Sequence, residues 1–215
     1  MMKPEEIEHA SFEIIDREAG PHNFSDQQWC VVRRMIHTTA DFEFKEMVRF
    51  HPDAMAAGIG AIRQGRAVIT DTNMARVGIR SKDLARFGVT VKCYMNDPLI
   101  HAAAKNNGTT RARTAVDMAV ADMAGGIYVV GNAPTALLRL LELIHEKKAP
   151  PALIVGLPVG FVNAAESKAA LMETDYPYIS NVGRKGGSNV AASVVNALAI
   201  LAGDARDAQG KAQRA

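Results

Sequence analysis

The sequence predicts a three-layer α/β/α fold, with a mainly parallel sheet of five strands and a helical segment in front of it. After Gly65, short runs rich in β-branched residues alternate with helical patterns. Strands that alternate with helices are joined by right-handed crossovers and form a parallel sheet. Before Gly65, the apolar residues follow helical spacing instead. The length of 215 residues suits one domain.

The N-terminal third is predicted to be helical. Residues 3–19 form the first pattern, which ends at Gly20 and Pro21. Ser25 has the character of an N-cap, and Gln28 three residues later completes a capping box. The helix that follows reaches about Ile36, and further helical patterns cover residues 41–50 and 52–65.

The remaining elements are the five strands, their helices and a polar tail. The predicted strands are residues 67–70, 89–94, 127–130, 152–155 and 178–180. The clearest helical patterns between and after them are residues 114–123, 134–146, 164–172 and 188–201. We expect residues 1–203 to form a single domain and the polar residues 204–215 to be a disordered tail.

Composition excludes several classes of function. The net charge is only +2, and the basic residues are spread along the chain, so we expect no nucleic-acid partner. No apolar run approaches the roughly 20 residues that span a bilayer, so we expect no membrane insertion. Cys30 and Cys93 have no metal or disulfide spacing, and the N-terminus has no apolar signal segment. We therefore expect a cytoplasmic protein.

Ligands of open parallel sheets bind beyond the carboxyl ends of the strands. The five predicted strand exits are residues 71–73, 96–98, 131–135, 156–161 and 183–188. The last three bring backbone N–H groups to helix N-termini, which favours anions. Neither Gly58 to Gly60, inside a helical pattern, nor the 183–188 loop has the spacing of a nucleotide site. The six histidines are scattered, so we expect neither a metal nor a nucleotide cofactor.

His37 is the candidate for general acid/base chemistry, because no nucleophile motif is present. It follows Ile36 at the end of a helix, with Arg34 three residues earlier on the same face. The two side chains could share an acidic ligand. The alternative from the residues alone is a histidine that merely stabilises the negative end of the helix.

Three segments carry a resemblance to a known family. They are residues 32–37 (Val-Arg-Arg-Met-Ile-His), residues 131–137 (Gly-Asn-Ala-Pro-Thr-Ala-Leu), and residues 156–162 (Gly-Leu-Pro-Val-Gly-Phe-Val) with Glu166, Ser167 and Lys168. Over residues 5–202 the chain resembles the precorrin-8X methylmutases and cobalt-precorrin-8 methylmutases of cobalamin biosynthesis.

The resemblance implies an isomerase that moves a methyl group from carbon 11 to carbon 12 of a corrin precursor by a [1,5]-sigmatropic shift. The implied product is hydrogenobyrinate, or cobyrinate when the substrate carries cobalt. The resemblance further implies a tetrapyrrole substrate with several carboxylates, no cofactor, and a homodimer whose active site lies near the subunit interface.

The resemblance also assigns roles to individual residues. His37 matches the catalytic histidine, expected to protonate or hydrogen-bond a ring nitrogen. The residues assigned to substrate binding are Ser11, Arg34, Arg113 and Lys168. For Ser11 and Lys168 the alternative is an ordinary solvated helix position. Arg111 remains open as a substitute for Arg113, because the chain carries two arginines where the family more often has one.

The acid arms of such a substrate call for charge-assisted hydrogen bonds, which arginine supplies in pairs. Arg184 and Lys185, in the last glycine-rich exit, add further positive charge. Two other functions stay open: a carrier that holds the product without using His37, and a sugar-phosphate isomerase that binds phosphate at residues 183–188.

Overall fold

The structure, a computed structural model, describes residues 3–212 except residues 147 and 149. The helices are α1 Pro4–Ala19, α2 Asp26–Thr39, α3 Phe44–Met47, α4 Ala54–Arg63, α5 Asn73–Gly78, α6 Ser81–Ala85, α7 Pro98–Asn106, α8 Arg111–Met123, α9 Pro134–His145, α10 Ala164–Met172 and α11 Ser188–Ala212. The strands are β1 Val48–Phe50, β2 Val68–Thr70, β3 Val91–Lys92, β4 Ile127–Val130, β5 Leu153–Gly156 and β6 Tyr178–Asn181.

These strands form one mixed sheet in the order β1-β6-β5-β4-β2-β3. All neighbours are parallel except β1, which runs antiparallel to β6 with Val48 opposite Asn181. The predicted α/β fold is confirmed, with six strands instead of five. The prediction of a helix over residues 41–50 is wrong in part: α3 covers only four residues, and the chain then extends to pair with the free edge of β6.

The sheet separates two apolar cores, because successive side chains of a strand point to opposite faces. Val129, Val155 and Ile179 face the first core, which they share with α2, α4 and α11. Tyr128 and Ile154 face the second core, which they share with α8 and α9. The strands are therefore covered on both faces, as near-continuous apolar runs require.

The entry and exit of α2 decide where His37 lies. The predicted capping box is confirmed: the backbone N–H of Gln28 donates to the Ser25 hydroxyl at 3.3 Å, and Ser25 N–H donates to the Gln28 side chain at 3.0 Å. At the other end Ala40 adopts a left-handed conformation, with φ 52°, and donates to Ile36 O at 2.7 Å. The chain thus turns sharply three residues after His37.

Helices α5, α6 and α7, between β2 and α8, were not predicted; α5 and α6 have only six and five residues, too few to show a helical period. The predicted strand over residues 89–94 is present as β3, but it is shortened to two residues. Helix α11 runs to Ala212, past residue 204, where the predicted tail begins, and residues 213–215 lie outside the described residues. In the part of the chain that the structure describes, no helix is both long enough and apolar enough to cross a membrane.

Candidate active site

A cavity of about 240 Å³ lies between α1 and the C-terminal end of α2. Most of its walls are apolar, and two of the predicted site residues lie in it. It is lined by Ser11, Ile14, Ile15, Ile36, His37, Ala40 and Phe42. His37 is exposed to the cavity mouth, while its neighbour Ile36 is buried in the core. The structure therefore brings His37 and Ser11 together, although they are far apart in sequence.

The Phe12 ring lies between the His37 side chain and Arg34, which the resemblance assigned to substrate binding. The His37 ring meets Phe12 edge-on, with ring centroids 5.2 Å apart. The Arg34 guanidinium carbon lies 5.0 Å from the same ring centroid, a distance typical of cation–π contacts. Arg34 also donates through Nη1 to Glu8 Oε1 at 3.0 Å. His37 and Arg34 thus flank one aromatic ring, and only His37 lines the cavity.

Ser11 is half-buried, and its hydroxyl donates to Ile7 O at 2.8 Å. This bond to the preceding turn uses the only proton of the hydroxyl. The oxygen keeps its capacity to accept a hydrogen bond from a ligand in the cavity.

The crevice between β2 and β4, where the strand order reverses, is closed by a carboxylate of the protein itself. Asp71 is 1% exposed and follows β2 directly. Its oxygens accept hydrogen bonds from the backbone N–H groups of Gly131, Asn132 and Ala133 at 2.8–2.9 Å. Burial raises the pKa of Asp71, and these three bonds oppose the rise. The predicted anion site at this exit is therefore filled by an internal anion.

The glycine-rich exits of β5 and β6 pack against each other. The Gly187 N–H donates to Leu157 O at 2.9 Å, and the Gly160 N–H donates to Arg184 O at 3.2 Å. Gly186 has φ +155°, and a Cβ there would lie 2.3 Å from Leu157 O. Only glycine allows this approach, so the two exits form one joined surface.

Lys168 does not lie on a solvated face. It is fully buried, and its ammonium donates to Lys185 O at 2.6 Å and to Asn181 Oδ1 at 3.3 Å. Among the described side chains no carboxylate pairs with it. Burial lowers the pKa of Lys168 to about 8. The ammonium thus holds the exit loop of β6 through the backbone carbonyl of Lys185.

The two basic residues of that loop are also engaged. The Lys185 ammonium lies 2.5 Å from Asp41 Oδ2 and 2.9 Å from Glu43 Oε2. The Arg184 guanidinium lies over the Phe161 ring, 5.6 Å from its centroid, and that ring is 82% exposed.

The structure separates the two arginines that the sequence left as alternatives. Arg113 forms a two-pronged bond with Glu142 at 2.8 and 2.6 Å, and Arg139 shares the same carboxylate at 2.6 Å. These bonds lower the pKa of Glu142 to about 2, with Arg113 as the largest cause. Arg111 is exposed in the first turn of α8.

Arg111 also lies beside the exit loop of β4. The residue before it, Thr110, caps α8, and its hydroxyl donates to Thr135 Oγ1 at 3.0 Å. Arg111 therefore stands at the carboxyl edge of the sheet, whereas the Arg113 guanidinium is turned to the outer face of α9.

Comparison with known proteins identifies the family. A sequence model of the precorrin-8X methylmutase family matches residues 6–201. A cobalt-precorrin-8 methylmutase of Priestia megaterium is 46% identical, over 99% of this chain and 95% of the relative. A precorrin-8X methylmutase of Sinorhizobium sp is 37% identical, over 90% and 92%. The crystal structure of a precorrin-8X methyl mutase from Thermus thermophilus matches with a TM-score of 0.87 and 48% identity, over 93% of this chain and 96% of that one.

The chain therefore belongs to the precorrin-8X methylmutase family. It is an enzyme, an intramolecular isomerase of the methylmutase class. The resemblance found in the sequence is confirmed. Of the three functions left open there, this result favours the mutase over the carrier and the sugar-phosphate isomerase.

Three residues of the site were missed by the sequence analysis. Phe12 follows Ser11 on α1, and its place among the apolar residues of that helix was a usable signal. Asp71 was visible as an acid directly after a strand, but its bonds to residues 60–62 positions away were not. Asp41 carried no signal, since its partner Lys185 lies 144 residues away.

The buried ammonium of Lys168 predicts a stability that rises with pH. Its pKa is about 8 in the folded chain and about 10.4 in an unfolded one. The unfolded chain therefore binds more protons between these values, and the free energy of unfolding increases with pH. From pH 7 to 9.5, urea titration should show wild type gaining about 2 kcal/mol over Lys168→Met, which has no group to titrate. An equal pH dependence of the two proteins would contradict a buried charged lysine.

Proposed function

We propose that this enzyme moves the methyl group on carbon 11 of precorrin-8X, or of cobalt-precorrin-8, to carbon 12 by a [1,5]-sigmatropic shift. The bond from the methyl group to carbon 11 breaks as the bond to carbon 12 forms, and the ring double bonds rearrange. The product is hydrogenobyrinate or cobyrinate, on the route to cobalamin in the cytoplasm. The methyl group stays within one molecule, so the reaction as proposed needs no external donor and no cofactor.

His37 is proposed to give a hydrogen bond or a proton to a ring nitrogen near the migrating methyl group, and to take it back afterwards. The observation that carries this role is the position of His37 on an apolar cavity in a chain of this family. Drawing electron density toward the nitrogen stabilises the shifting π-system. A general acid of this kind contributes about 10²–10⁴-fold, or about 3–5 kcal/mol.

The acid arms of the macrocycle are proposed to bind around the cavity. Ser11 donates its hydroxyl proton to Ile7 O, so within the cavity it can accept a hydrogen bond from an N–H group of the ring and does not bind a carboxylate arm. Glu8 engages only Nη1 of Arg34, and the remaining N–H groups of the guanidinium can bind a carboxylate. At the carboxyl edge of the sheet, Arg111 is better placed than Arg113, whose guanidinium is held by Glu142. Lys168 would reach a substrate only by leaving Lys185 O, so we assign it to the loop instead.

A homodimer is also part of the proposal. The cavity of about 240 Å³ is smaller than the roughly 300–1,000 Å³ of ordinary ligand pockets, so a large tetrapyrrole needs further walls. Apolar side chains stand exposed nearby on α1, where Ile7 and Ile14 are 53% and 44% exposed. On the exit loop of β5, Phe161 and Val162 are 82% and 78% exposed. A second copy of the chain would cover such surfaces and complete the site.

Turnover by His37 variants tests the proposed chemistry. Purified enzyme is given precorrin-8X and, separately, cobalt-precorrin-8, and the absorbance change of the rearranging conjugated system is followed. His37→Ala should lose about 10²–10⁴-fold in kcat and still bind product. His101→Ala, on the exposed surface of α7, is the matched control and should keep the wild-type rate. Wild-type protein without a spectral change on either substrate would refute the proposal.

Paired arginine variants test which guanidinium meets the substrate. Arg111→Ala should raise KM about tenfold or more, because a charge-assisted hydrogen bond contributes about 1.5–3 kcal/mol. Arg113→Ala should leave KM near wild type and lower the free energy of unfolding by about 1 kcal/mol, since its ion pair with Glu142 is partly screened by solvent. The reverse pattern of KM would assign the substrate to Arg113.

Light scattering tests the oligomer. The mass should be about twice the 23.1 kDa of the chain. Phe161→Asp should shift the protein toward the monomer and lower turnover together, because it places a charge in the proposed apolar contact. Ala102→Asp, an exposed position on α7 outside the proposed interface, serves as a control for mass alone. A wild-type monomer with full turnover would exclude the dimeric site.

A further inference from the structure

Lys185 joins two parts of the molecule that are distant in sequence. Its ammonium lies between the carboxylates of Asp41 and Glu43, at 2.5 and 2.9 Å. We refer to this ion-pair cluster of Asp41, Glu43 and Lys185 as the clasp. Asp41 is held most closely, since its side chain is 27% exposed against 71% for Glu43. Lys185 lowers the pKa of Asp41, so Asp41 stays ionised.

At the Lys185 end of the clasp, two buried side chains hold the backbone in place. Lys185 O accepts one hydrogen bond from the buried Lys168 ammonium at 2.6 Å and another from Asn181 Nδ2 at 2.9 Å. Asn181 is fully buried at the end of β6. The backbone of Lys185 is thus held to the sheet, and this limits the positions that its ammonium can occupy.

The Asp41 end of the clasp is part of the wall of the His37 cavity. Asp41 stands between Ala40 and Phe42, both of which line that cavity. Its backbone N–H donates to Thr39 Oγ1 at 3.2 Å, and its Oδ1 accepts from the Glu43 N–H at 3.0 Å. A movement of Asp41 would therefore move this wall.

We propose that Asp41 and Lys185 are positioning residues of the methyl shift. The clasp fixes the wall formed by Ala40 and Phe42, and with it the ring-binding cavity, against the loops at the carboxyl edge of the sheet. This inference rests on the proposed function, in which the ring lies against His37 and acid arms reach toward that edge. Neither residue of the clasp needs to touch the substrate, because both act through the geometry of the cavity.

Such an ion pair contributes more to geometry than to stability. Partly exposed pairs add little to the free energy of unfolding, because solvent screens them. A reacting group displaced by about 1 Å can nevertheless lose about 10²-fold in rate. The clasp variants should therefore differ from wild type in turnover and much less in thermal stability.

Charge removal and charge exchange test the clasp. Asp41→Asn and Lys185→Met should each lower kcat about 10- to 100-fold, while KM changes less than about threefold and the melting temperature stays near wild type. The double variant Asp41→Lys with Lys185→Asp should recover most of the lost kcat, since it restores attraction with the opposite polarity. Arg80→Met removes the comparable exposed ion pair with Asp83, at 2.9 Å, and should leave kcat unchanged.

Hydrogen exchange of the unliganded protein gives a second readout that does not depend on the reaction. In Lys185→Met, the amides of residues 40–43 and 182–187 should exchange at least about fivefold faster, while those of α8 stay unchanged. Wild-type turnover with unaltered kcat in both single variants would overturn the inference and leave the proposed function intact. An inactive wild type would refute the proposed function, and unaltered exchange in Lys185→Met would then overturn the clasp as well.

Discussion

The carboxylate of Asp71 is the constraint on which the placement of the site depends. It lies in the crevice between β2 and β4, where the strand order reverses. Open parallel sheets ordinarily bind ligands in such a crevice. Because the carboxylate accepts three backbone N–H groups of the following exit loop, it ties the ends of two strands and removes those donors from any external anion. The cavity that His37 and Ser11 line lies to one side, between α1 and the end of α2.

The buried ammonium of Lys168 fixes the exit loop of β6, which packs on the exit of β5. The Lys168 ammonium donates hydrogen bonds to a backbone carbonyl and to a side-chain amide. These neutral acceptors offset only part of the free energy that burial of the charge costs. The retained charge holds the exit loop of β6 in place. That loop packs tightly on the exit of β5 and reaches the wall of the His37 cavity through Lys185. One continuous set of contacts thus runs from Lys168 on α10 to the wall of the cavity that His37 lines.

Sequence reasoning succeeded where local chemistry decides. The Ser25 capping box and the position of Gly58 to Gly60 inside α4 were predicted correctly, because both depend on residues within one turn. The strand over residues 48–50 was not predicted, since three residues are too few to show an alternating pattern. Its partner in the sheet is β6, which is distant in the sequence. Sequence reasoning also could not separate Arg113 from Arg111, because the partner that engages Arg113 lies 29 residues further along the chain.

The sequence by itself determined the α/β class, the family and the candidate residues on α1 and α2. Hydrophobic periodicity and the glycine-rich strand exits act locally and are written in adjacent residues. Only the tertiary structure decided which charged side chains are engaged by other parts of the protein. Asp71, Lys168 and Lys185 each have partners that lie 13 to 144 residues away in the sequence. Electrostatic pairing depends on distance in space and on burial, and neither quantity follows from the order of residues along a chain.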